Sequence, residues 1–582
     1  MKETKRIFWI TLFALAAIPM MAAKVYFINT PKWTTVKAYI WGDSGQKVGW
    51  PGQNMTKETG LSCTKGDVYS YETENYKMII FTNGSGAQTH DLTLDPARPY
   101  WCDEVAYASL EDVEKGVEPP TPVSEGAVPS ESEDVMLQGF YWDSHYFNPK
   151  YGSTRWSYLT SQVESDYWGD CFTMVWLPPS AKSQGGLGYH PVCYSDQTGD
   201  LGMRSNLEAL ISELHKHNVK VIADIVINHC ASNNGWCHFA TMNFGDYGKF
   251  TPQPEWITAN DEVNTDKNAG DCYQCSKSKA HNDEGDNWAG ARDWDHLNTD
   301  VQAMCKAYTQ WMLNVMHYDG FRYDMCAGFS AKHIDEYNKA SKPYFSVMEY
   351  WKGTAGEEMN KIKEANHNTL TFDFAAKYNV FRDGIYKKNY TKLKDGNSLR
   401  SLGYQRYAVT FIDNHDTFAR TDNEDVAEKK DGSSINDKDL MMRCNAYLLS
   451  MPGVPCVFYP HWVTYKTEIT AMAKARRAAR IHSESQVSEE AGNDYYKATI
   501  TGKGGGSVVL YLGSAASGNA PTGYKTAIKG DTYAMYYKEG KGAGWEAAYM
   551  DTPHQGRKVL MNGQLLVERE GNYYDMFGKK VR

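Results

Sequence analysis

Residues 219–229 read VKVIADIVINH, an apolar run that ends in polar side chains. Apolar residues at successive rather than alternate positions are typical of a parallel strand that is buried on both faces. Asp224, Asn228 and His229 lie toward its carboxyl end. The stretch therefore predicts a central strand that delivers reactive side chains to one edge of a sheet.

Seven further apolar runs are spaced along the same part of the chain: residues 135–142, 172–179, 320–324, 344–351, 370–374, 408–416 and 454–460. Amphipathic segments separate them. In residues 205–218, apolar side chains recur at i, i+3, i+4 and i+7, and Ser205 with Glu208 offers a capping box. Eight apolar strands joined by helices predict a closed parallel (β/α)8 TIM barrel, with a doubly wound open sheet as the alternative.

The carboxyl ends of these predicted strands are unusually polar. Residues 320–329, GFRYDMCAGF, place Arg322 and Asp324 two positions apart and therefore on one face of a strand. The other polar ends carry Glu349 and Trp351 on the fifth strand and Asp413, His415 and Asp416 on the seventh. Because the active sites of such barrels lie at this edge, we expect at least three carboxylates around one mouth.

Several carboxylates, with no phosphate-binding loop, Ser-His pair or cluster of metal-ligating histidines, favour cleavage of a glycosidic bond. One acid protonates the leaving oxygen, while an ionised carboxylate attacks or stabilises an oxocarbenium-like centre. Charge pairing with Arg322 is expected to hold Asp324 anionic. Glu349 lies beside Tyr350 and Trp351, so desolvation is expected to raise its pKa and make it the acid.

The composition excludes some partners and limits the role of the cysteines. A formal net charge of -10 and a pI near 5.9 provide no basic field for nucleic acid. The 40 Tyr and 17 Trp supply flat amphipathic rings. The twelve cysteines do not form the dense pattern of a disulfide scaffold. Cys272 and Cys275 form a CxxC motif, which is expected to be a loop disulfide or two free thiols, with a redox or metal pair as the alternative.

Residues 1–23 have the pattern of a secretory signal peptide. Basic residues precede an apolar run over residues 7–18, and small residues follow it at Ala22 and Ala23. The run is too short to span a bilayer, so no transmembrane anchor is expected. The pattern predicts an exported protein that is extracellular, periplasmic or held at the cell surface, and we expect a monomer.

Residues 112–133 combine Pro, Glu, Ser and Gly with almost no large apolar side chain, which predicts a linker. The front unit before it, residues 24–111, has short β-branched and aromatic runs that predict a β-sandwich. Behind the linker, the barrel is predicted over residues 134–483, with a polar insertion domain at residues 230–292. Residues 484–582 are predicted to form an antiparallel β domain.

Four motifs at the strand ends, DIVINH, GFRYD, FSVMEYW and FIDNHD, resemble the signature regions of family 13 of the glycoside hydrolases, the alpha-amylase family. QGFYW, VWLPPS, GYHP, WDHLN and PGVPCVFYPH extend the similarity, which is greatest to plant-type alpha-amylases. The resemblance implies a retaining enzyme that hydrolyses internal α-1,4 bonds of starch-like glucans. The alternatives are an exo-acting, debranching or transglycosylating relative, or a non-catalytic glucan-binding surface protein with a relic barrel.

The resemblance also implies a role for individual residues. Asp324 corresponds to the nucleophile, Glu349 to the general acid/base, and Asp416 to the third acid, which grips the sugar hydroxyls. The expected substrate contacts are Arg322, Asp224, His229, His415, Tyr189 and, at the end of the fifth strand, Trp351. The plant-type pattern has a lysine where this chain has Ala327, so the subsites for the leaving group are expected to differ.

Calcium is a further implication of the resemblance. Asn228 corresponds to a ligand that binds through its side chain, and Gly328 to one that binds through its carbonyl. Asp261 and Asp286 are additional candidates from a rough alignment with the family. They lie in the acidic insertion, whose composition suits a hard cation with oxygen ligands. A solvated acidic loop without a metal is the alternative.

The front unit resembles starch-binding modules of the family 26 type, most clearly in VYFINTPKWTTVKAYIW and GWPG. Aromatic side chains suit the curved apolar faces of starch. Tyr26 and Trp33 are the residues that we expect to contact sugar, and a purely structural β domain is the alternative.

Overall fold

A computed structural model describes residues 24–42, 45–46, 49–72, 78–89, 92–94, 99–103, 105–107, 109–115, 127–166, 168–418, 435–542, 557–561, 564–569 and 572–574. The chain divides into two compact units, Met1–Thr121 and Pro122–Arg582. The predicted signal peptide and residues 116–126 of the predicted linker lie outside the described residues. In the described part of the chain, no helix has both the length and the apolarity to cross a membrane.

The second unit is built around a closed barrel of eight parallel strands, as counted over the described residues. We label them β1 to β8: Met136–Gln138, Met174–Trp176, Lys220–Ile225, Gly320–Tyr323, Phe345–Met348, Leu370–Phe372, Ala408–Phe411 and Val454–Phe458. Leu137 of β1 pairs with Val175 of β2 on one side and with Val457 of β8 on the other. That double pairing closes the sheet, so the barrel prediction is confirmed and the open sheet is excluded.

Helices follow the strands and cover the outside of the barrel. Their bounds are Trp156–Asp166, Arg204–Lys216, Thr299–Asn314, Ala331–Ser341, Ala355–Glu364, Phe374–Ala376, the π-helix Lys377–Tyr386, Lys392–Asp395, Lys438–Ser450, Tyr459–Thr464 and Lys466–Ala478. Short 3-10 turns are Trp168–Asp170, Gly186–Gly188, Gly245–Tyr247, Pro254–Trp256, Glu262–Asn264, Lys267–Cys272, Arg400–Leu402, Gln405–Tyr407, Lys503–Gly505 and Ser514–Ser517.

The helix Arg204–Lys216 packs on the barrel through the apolar face that its sequence predicts. The predicted stripe is buried: Leu207, Leu210, Ile211 and Leu214. The predicted capping box is wrong, because the N-cap of the helix is Met203, two residues before Ser205. The Asn206 side chain accepts a hydrogen bond from the Met203 backbone amide at 3.2 Å.

The insertion after β3 consists mainly of turns and short hairpins. Its paired strands are His229–Cys230 with Arg292–Asp293 and Met242–Asn243 with Lys249–Phe250, and Lys182–Ser183 pairs with Pro191–Cys193 in the loop after β2. A disulfide joins Cys237 to Cys272. Cys272 is therefore bonded to a distant residue and not to Cys275, which is a free, half-buried thiol. The three readings of the Cys272–Cys275 motif were wrong, since local spacing carried no information about residue 237.

The first unit contains two β-sheets that share one apolar core. One sheet has the order Val105–Tyr107, Tyr100–Cys102, Lys24–Asn29, Asp67–Glu72 and Thr56–Lys57. The other has the order Gly45–Gln46, Lys37–Gly42, Met78–Thr82 and Leu92–Thr93, with Gln53–Asn54 also paired to Lys37–Gly42. Phe27 from the first sheet and Ile40 and Phe81 from the second are buried in the same cluster. This arrangement is that of a β-sandwich.

Both ends of the segment predicted as a linker are packed. The helix Leu110–Lys115 buries Val113 against Ile28 and Tyr107 of the first unit. In the second unit, Val128 is buried in the barrel core, and the Ala127 carbonyl accepts a hydrogen bond from the Ser346 amide at 2.9 Å. A few apolar residues thus anchor each end, which the average composition of the segment concealed.

Antiparallel sheets follow the barrel, as predicted for residues 484–582. The larger has the order Gln486–Ala491, Tyr495–Thr501, Ser507–Gly513, Tyr533–Lys538 and Lys525–Lys529. The smaller consists of Arg557–Met561, Gln564–Arg569 and Asn572–Tyr574.

Candidate active site

Three neighbouring strands bring polar side chains to the same rim of the barrel. In the strand register, Asp224 of β3 lies opposite Arg322 of β4, which lies opposite Val347 of β5. Asp324 and Glu349 directly follow β4 and β5. Because parallel strands end at a common edge, side chains separated by more than 100 residues meet there.

The Arg322 guanidinium is the centre of this cluster. One of its terminal nitrogens, Nη1, lies 2.9 Å from Asp224 Oδ1 and 2.5 Å from Asp324 Oδ1. The other, Nη2, lies 2.9 Å from Glu349 Oε1. Arg322 is 1% exposed and also lies over the ring of Trp176. One planar cation therefore orients three carboxylates, which a single ammonium group could not do with the same geometry.

Burial and Arg322 act in opposite directions on two of these acids, Glu349 and Asp224. Burial raises the pKa of Glu349; Arg322 opposes this shift, and the charge of Asp324 adds to it. The Glu349 carboxylate also accepts a hydrogen bond from the Met325 amide at 2.9 Å. Burial raises the pKa of Asp224 to about 7, against the lowering effect of Arg322. The cluster holds more carboxylates than cations, which favours keeping a proton on one of them.

Aromatic rings form one wall of the site. Trp142, Tyr189 and His415 lie nearly parallel, with ring centroids 5.0 to 5.6 Å apart. The Tyr189 hydroxyl donates to Asp224 at 2.7 Å, and the Gln138 amide nitrogen lies 3.0 Å from His415 Nδ1. These contacts fix the orientation of the wall beside the carboxylates.

His229 lies at the edge of this wall. Its Nε2 lies 2.9 Å from the Tyr189 carbonyl. Burial lowers the pKa of His229 to about 4. The imidazole is therefore neutral near pH 7, so it can form hydrogen bonds but carries no charge.

Asp416 and Trp351 lie at the opening of the site. Asp416 Oδ2 is 3.3 Å from His415 Nε2, and 28% of its side chain is exposed. Trp351 is 41% exposed and stacks on Phe374 at 5.0 Å, and its indole nitrogen donates to the Tyr378 hydroxyl at 2.8 Å. An acid and an aromatic ring on this rim thus face solvent.

A second group of oxygen atoms lies between the insertion and the loop after β4. Asn228 donates to Asp293 Oδ1 at 3.1 Å, and its own Oδ1 faces Gly328 so closely that a Cβ there would lie 2.0 Å away. Asp283 Oδ2 is buried and has no hydrogen-bond partner among the described residues. Burial, then the charge of Asp283, raises the pKa of Asp293 to about 8. Buried carboxylates with an amide oxygen and no cation of their own are a donor set that fits a hard divalent ion.

The two acids predicted as further metal ligands make other contacts. Asp261 Oδ1 lies 2.6 Å from Arg292 Nη1, and Asp286 Oδ2 lies 2.9 Å from Lys352 Nζ. Asp286 is also solvent-exposed. Each is neutralised by a protein cation, whereas Asp283 and Asp293 are not paired in this way in the described structure. Neither Asp283 nor Asp293 was predicted from the sequence, although Asp293 lies in the segment RDWDHLN. Asp293 pairs with His229 in a short antiparallel ladder.

The front unit separates its aromatic residues into distinct groups. Tyr26 stacks on Tyr100 at 4.5 Å, and Trp33 is half-buried and packs against Phe27 at 5.6 Å. The two residues predicted to bind sugar are therefore not neighbours in one platform, because positions 26 and 27 point to opposite faces of a strand.

A separate aromatic cluster in the same unit is more exposed. Tyr39 and Trp41 share one face of their strand, with ring centroids 5.3 Å apart, and Trp50 lies 5.3 Å from Tyr39. Trp50 is 53% exposed. These three rings form one contiguous aromatic cluster with an exposed member, Trp50.

Comparison with known proteins identifies both units. A family model described as starch-binding module 26 matches residues 25–94. A second, described as the alpha amylase catalytic domain, matches residues 170–500, which is more than half of the 582-residue chain.

Individual relatives agree with the family assignment. "Alpha-amylase 3, chloroplastic" of Arabidopsis thaliana is 29% identical over 431 residues, covering 69% of this chain and 44% of the relative. "Probable alpha-amylase 2" of the same plant is 26% identical over 434 residues, covering 71% of this chain and 96% of the relative. The chain thus spans less than half of the first relative and nearly all of the second.

Solved structures show the same fold. An alpha-amylase from Geobacillus thermoleovorans, crystallised with acarbose, superposes with a TM-score of 0.50 at 16% identity, covering 71% of this chain and 100% of the other. At this identity the likeness concerns the fold alone. From the matched catalytic domain and the strand-end motifs together, the chain belongs to the alpha-amylase family of glycoside hydrolases and carries a family 26 starch-binding module.

Proposed function

We propose that this chain is an endo-acting alpha-amylase that hydrolyses internal α-1,4-glucosidic bonds of starch-like polysaccharides with retention of configuration. The observation that supports this most strongly is the contact of a single guanidinium with Asp324 and Glu349 at the barrel rim. Retaining hydrolysis needs two carboxyl groups beside one anomeric carbon, one ionised and one protonated. Arg322 holds both in place there.

In the proposed reaction, Asp324 attacks the anomeric carbon while Glu349 protonates the departing glycosidic oxygen. The glycosidic C–O bond breaks as a glycosyl–Asp324 ester forms. Glu349, now a carboxylate, then takes a proton from a water molecule, whose oxygen displaces Asp324 and releases the sugar. The raised pKa of Glu349 suits its first step, because a carboxyl group that is harder to ionise holds its proton more readily.

The surrounding residues position the sugar ring. Tyr189 offers an aromatic face, and we assign His229 and His415 to hydrogen bonds with the sugar hydroxyls. We assign Asp416, at the opening beside His415, to the hydroxyls of the ring under attack. Trp351 is exposed next to the general acid and suits the leaving-group side of the cleft.

We also propose a calcium site that ties the insertion to the barrel. Asn228, Asp283 and Asp293 would hold the ion with the Gly328 carbonyl, while Asp261 and Asp286 would support the site through their ion pairs. A bound divalent cation would neutralise the buried carboxylates and thereby fix the loops beside His229.

Starch itself is the proposed partner of the front unit, with Tyr39, Trp41 and Trp50 as the main stacking surface. We further propose that the protein is exported and acts as a monomer outside the cytoplasm, in line with its predicted signal peptide. An exo-acting, debranching or transglycosylating enzyme would use the same acids, and only its products would differ.

The test is product analysis on soluble starch with the wild-type chain and Asp324→Asn. We expect a rapid fall in chain length, a first product with the α-configuration by NMR, and a loss of turnover on the order of 10⁴-fold in the variant. Asp319→Asn is the matched control, since Asp319 immediately precedes β4 at the opposite rim and should leave turnover in place.

Other outcomes would point to the alternatives. Release of one short product without an early fall in chain length would indicate exo action. An absence of new reducing ends would indicate a glucan-binding protein, and full activity of Asp324→Asn would remove the proposed nucleophile.

A further inference from the structure

A buried charged cluster lies beneath the loop that follows β7. The side chains of Lys377, Asp413 and His461 are each no more than 1% exposed. The reaction proposed above uses none of them. Charged groups that are removed from water are costly unless they are paired and hydrogen-bonded, so the contacts of this cluster indicate what it holds in place.

Asp413 is held by groups from the two neighbouring parts of the barrel. Lys377, the first residue of the π-helix after β6, donates from Nζ to the Ile412 carbonyl at 2.7 Å and to Asp413 Oδ1 at 3.1 Å. His461, in the helix after β8, has its Nε2 3.2 Å from Asp413 Oδ2. Each carboxylate oxygen of Asp413 therefore faces a nitrogen from a different neighbouring element.

Further hydrogen bonds connect Asp413 to the catalytic edge. The Thr417 hydroxyl lies 3.5 Å from Asp413 Oδ1 and accepts a hydrogen bond from the Asn414 amide at 3.0 Å. The Asn414 side-chain oxygen accepts a hydrogen bond from the Asp416 amide at 3.0 Å. The side chains of His415 and Asp416 lie 3.3 Å apart on this same segment. The position of Asp413 thus determines where the backbone of Asp416 lies.

Stability alone does not account for an ion pair at this place. A buried pair adds little to the free energy of unfolding over an apolar pair of similar volume. What the pair provides is a fixed geometry, because the Lys377 ammonium must stay close to two oxygen atoms at the end of β7. Asp416 requires a fixed position, since a misplacement of about 1 Å can lower a catalytic rate on the order of 10²-fold.

We propose that Lys377 is a positioning residue, which fixes Asp413 and thereby places Asp416 against the sugar ring under attack. The inference rests on the proposed function, because it takes the assignment of Asp416 from it. Lys377 is buried beneath the loop, so it acts through Asp413 rather than on the sugar.

The test measures kcat and KM for the hydrolysis of 4-nitrophenyl maltoheptaoside by the full chain and its variants at constant calcium. Lys377→Met removes the ammonium and retains an unbranched side chain, whereas Lys377→Arg retains a cation. Arg476→Met is the matched control, because Arg476 is similarly buried but donates to the carbonyls of Met451 and Gly453. Lys377→Met is also made in an Asp416→Asn background, and Tm is recorded for every variant.

Lys377→Met should lower kcat on the order of 10²-fold, with KM near the wild-type value. Lys377→Arg should recover most of this loss, and Arg476→Met should retain the wild-type kcat at temperatures below its Tm. In the Asp416→Asn background, Lys377→Met should have little further effect, because the effects of residues that act as a unit are not additive.

A wild-type kcat in Lys377→Met, an equal fractional loss in both backgrounds, or a Lys377→Arg variant no more active than Lys377→Met would overturn the inference. If Lys377→Met is unfolded at the assay temperature, Asp413→Asn replaces it, with the same expected result in both backgrounds. That substitution keeps the size of the side chain and removes the charge that Lys377 contacts. A wild-type chain that does not cleave the maltoheptaoside would instead count against the proposed function, so the two failures are distinguishable.

Discussion

Replacement of Arg322 by Met tests the electrostatic basis of the site. Met retains an unbranched apolar side chain beside Trp176 but removes the cation that contacts Asp224, Asp324 and Glu349. Loss of one partner from a buried ion pair costs about 3–5 kcal/mol, because an uncompensated charge remains. With ~2 °C per kcal/mol for a large domain, we expect a fall in Tm of roughly 6–10 °C at pH 8.

The pH dependence of this effect has a definite sign. Arg322 opposes the rise in the pKa of both Asp224 and Glu349. Without it, the pKa values of these two carboxyl groups in the folded state rise further above their values in the unfolded chain. A carboxyl with a raised folded pKa binds its proton more tightly in the folded state, so the free energy of unfolding falls as pH rises through that interval. Between pH 5 and pH 8, the variant should therefore lose more stability than the wild type.

Differential scanning calorimetry at pH 5 and pH 8, at constant calcium, measures the difference. Arg476→Met is the control, because Arg476 is equally buried but its guanidinium donates to the neutral carbonyls of Met451 and Gly453. Its loss of stability should be nearly equal at the two pH values. If Arg322→Met were destabilised equally at both, or more at pH 5, the carboxylates would not be under the control of Arg322.

Three further predictions concern other parts of the chain. Chelation of calcium should lower the free energy of unfolding by roughly 3 kcal/mol if the free calcium concentration had been near 100 times its Kd. The Asp293→Asn variant should not show this response, whereas Asp286→Asn should still show it. A wild-type chain whose stability does not change on chelation would exclude the site. Trp50→Ala should weaken adsorption to starch about tenfold, or ~1.4 kcal/mol, and should leave the hydrolysis of 4-nitrophenyl maltoheptaoside unchanged. An equal loss of adsorption in Tyr26→Ala would contradict the assignment of Tyr39, Trp41 and Trp50 as the main stacking surface. Cys237→Ser should destabilise the insertion by ~3 kcal/mol through loss of a cross-link over 35 residues, and an unchanged rate of limited proteolysis there would refute it.

The barrel and its reactive edge could be predicted from the sequence because both are encoded locally. Each strand carries its own apolar run, and each polar residue follows its own strand, as Asp224 and Glu349 do. Parallel pairing then requires that all these ends lie at one rim. The sequence also indicated Arg322 and Asp324 as a pair, since they are two residues apart on one strand.

Long-range pairings in the loops could not be predicted in the same way. Asp293 reaches Asn228 only because the insertion returns the chain to β3 after 65 residues. Cys272 bonds to Cys237 within the same turn-rich insertion, which has no regular period. In the front module, Trp33 and Trp50 look alike in the sequence. Only the fold half-buries the first against Phe27 and leaves the second exposed.

By itself, the sequence determined the strand count, the class of fold and the acids at the strand ends, because backbone periodicity and strand polarity are properties of short segments. The tertiary structure decided which carboxylates share a cation, which remain without one, and which aromatic rings face solvent. Those outcomes depend on distances between segments that are far apart in the chain, and electrostatic energy and burial depend on these distances rather than on residue type.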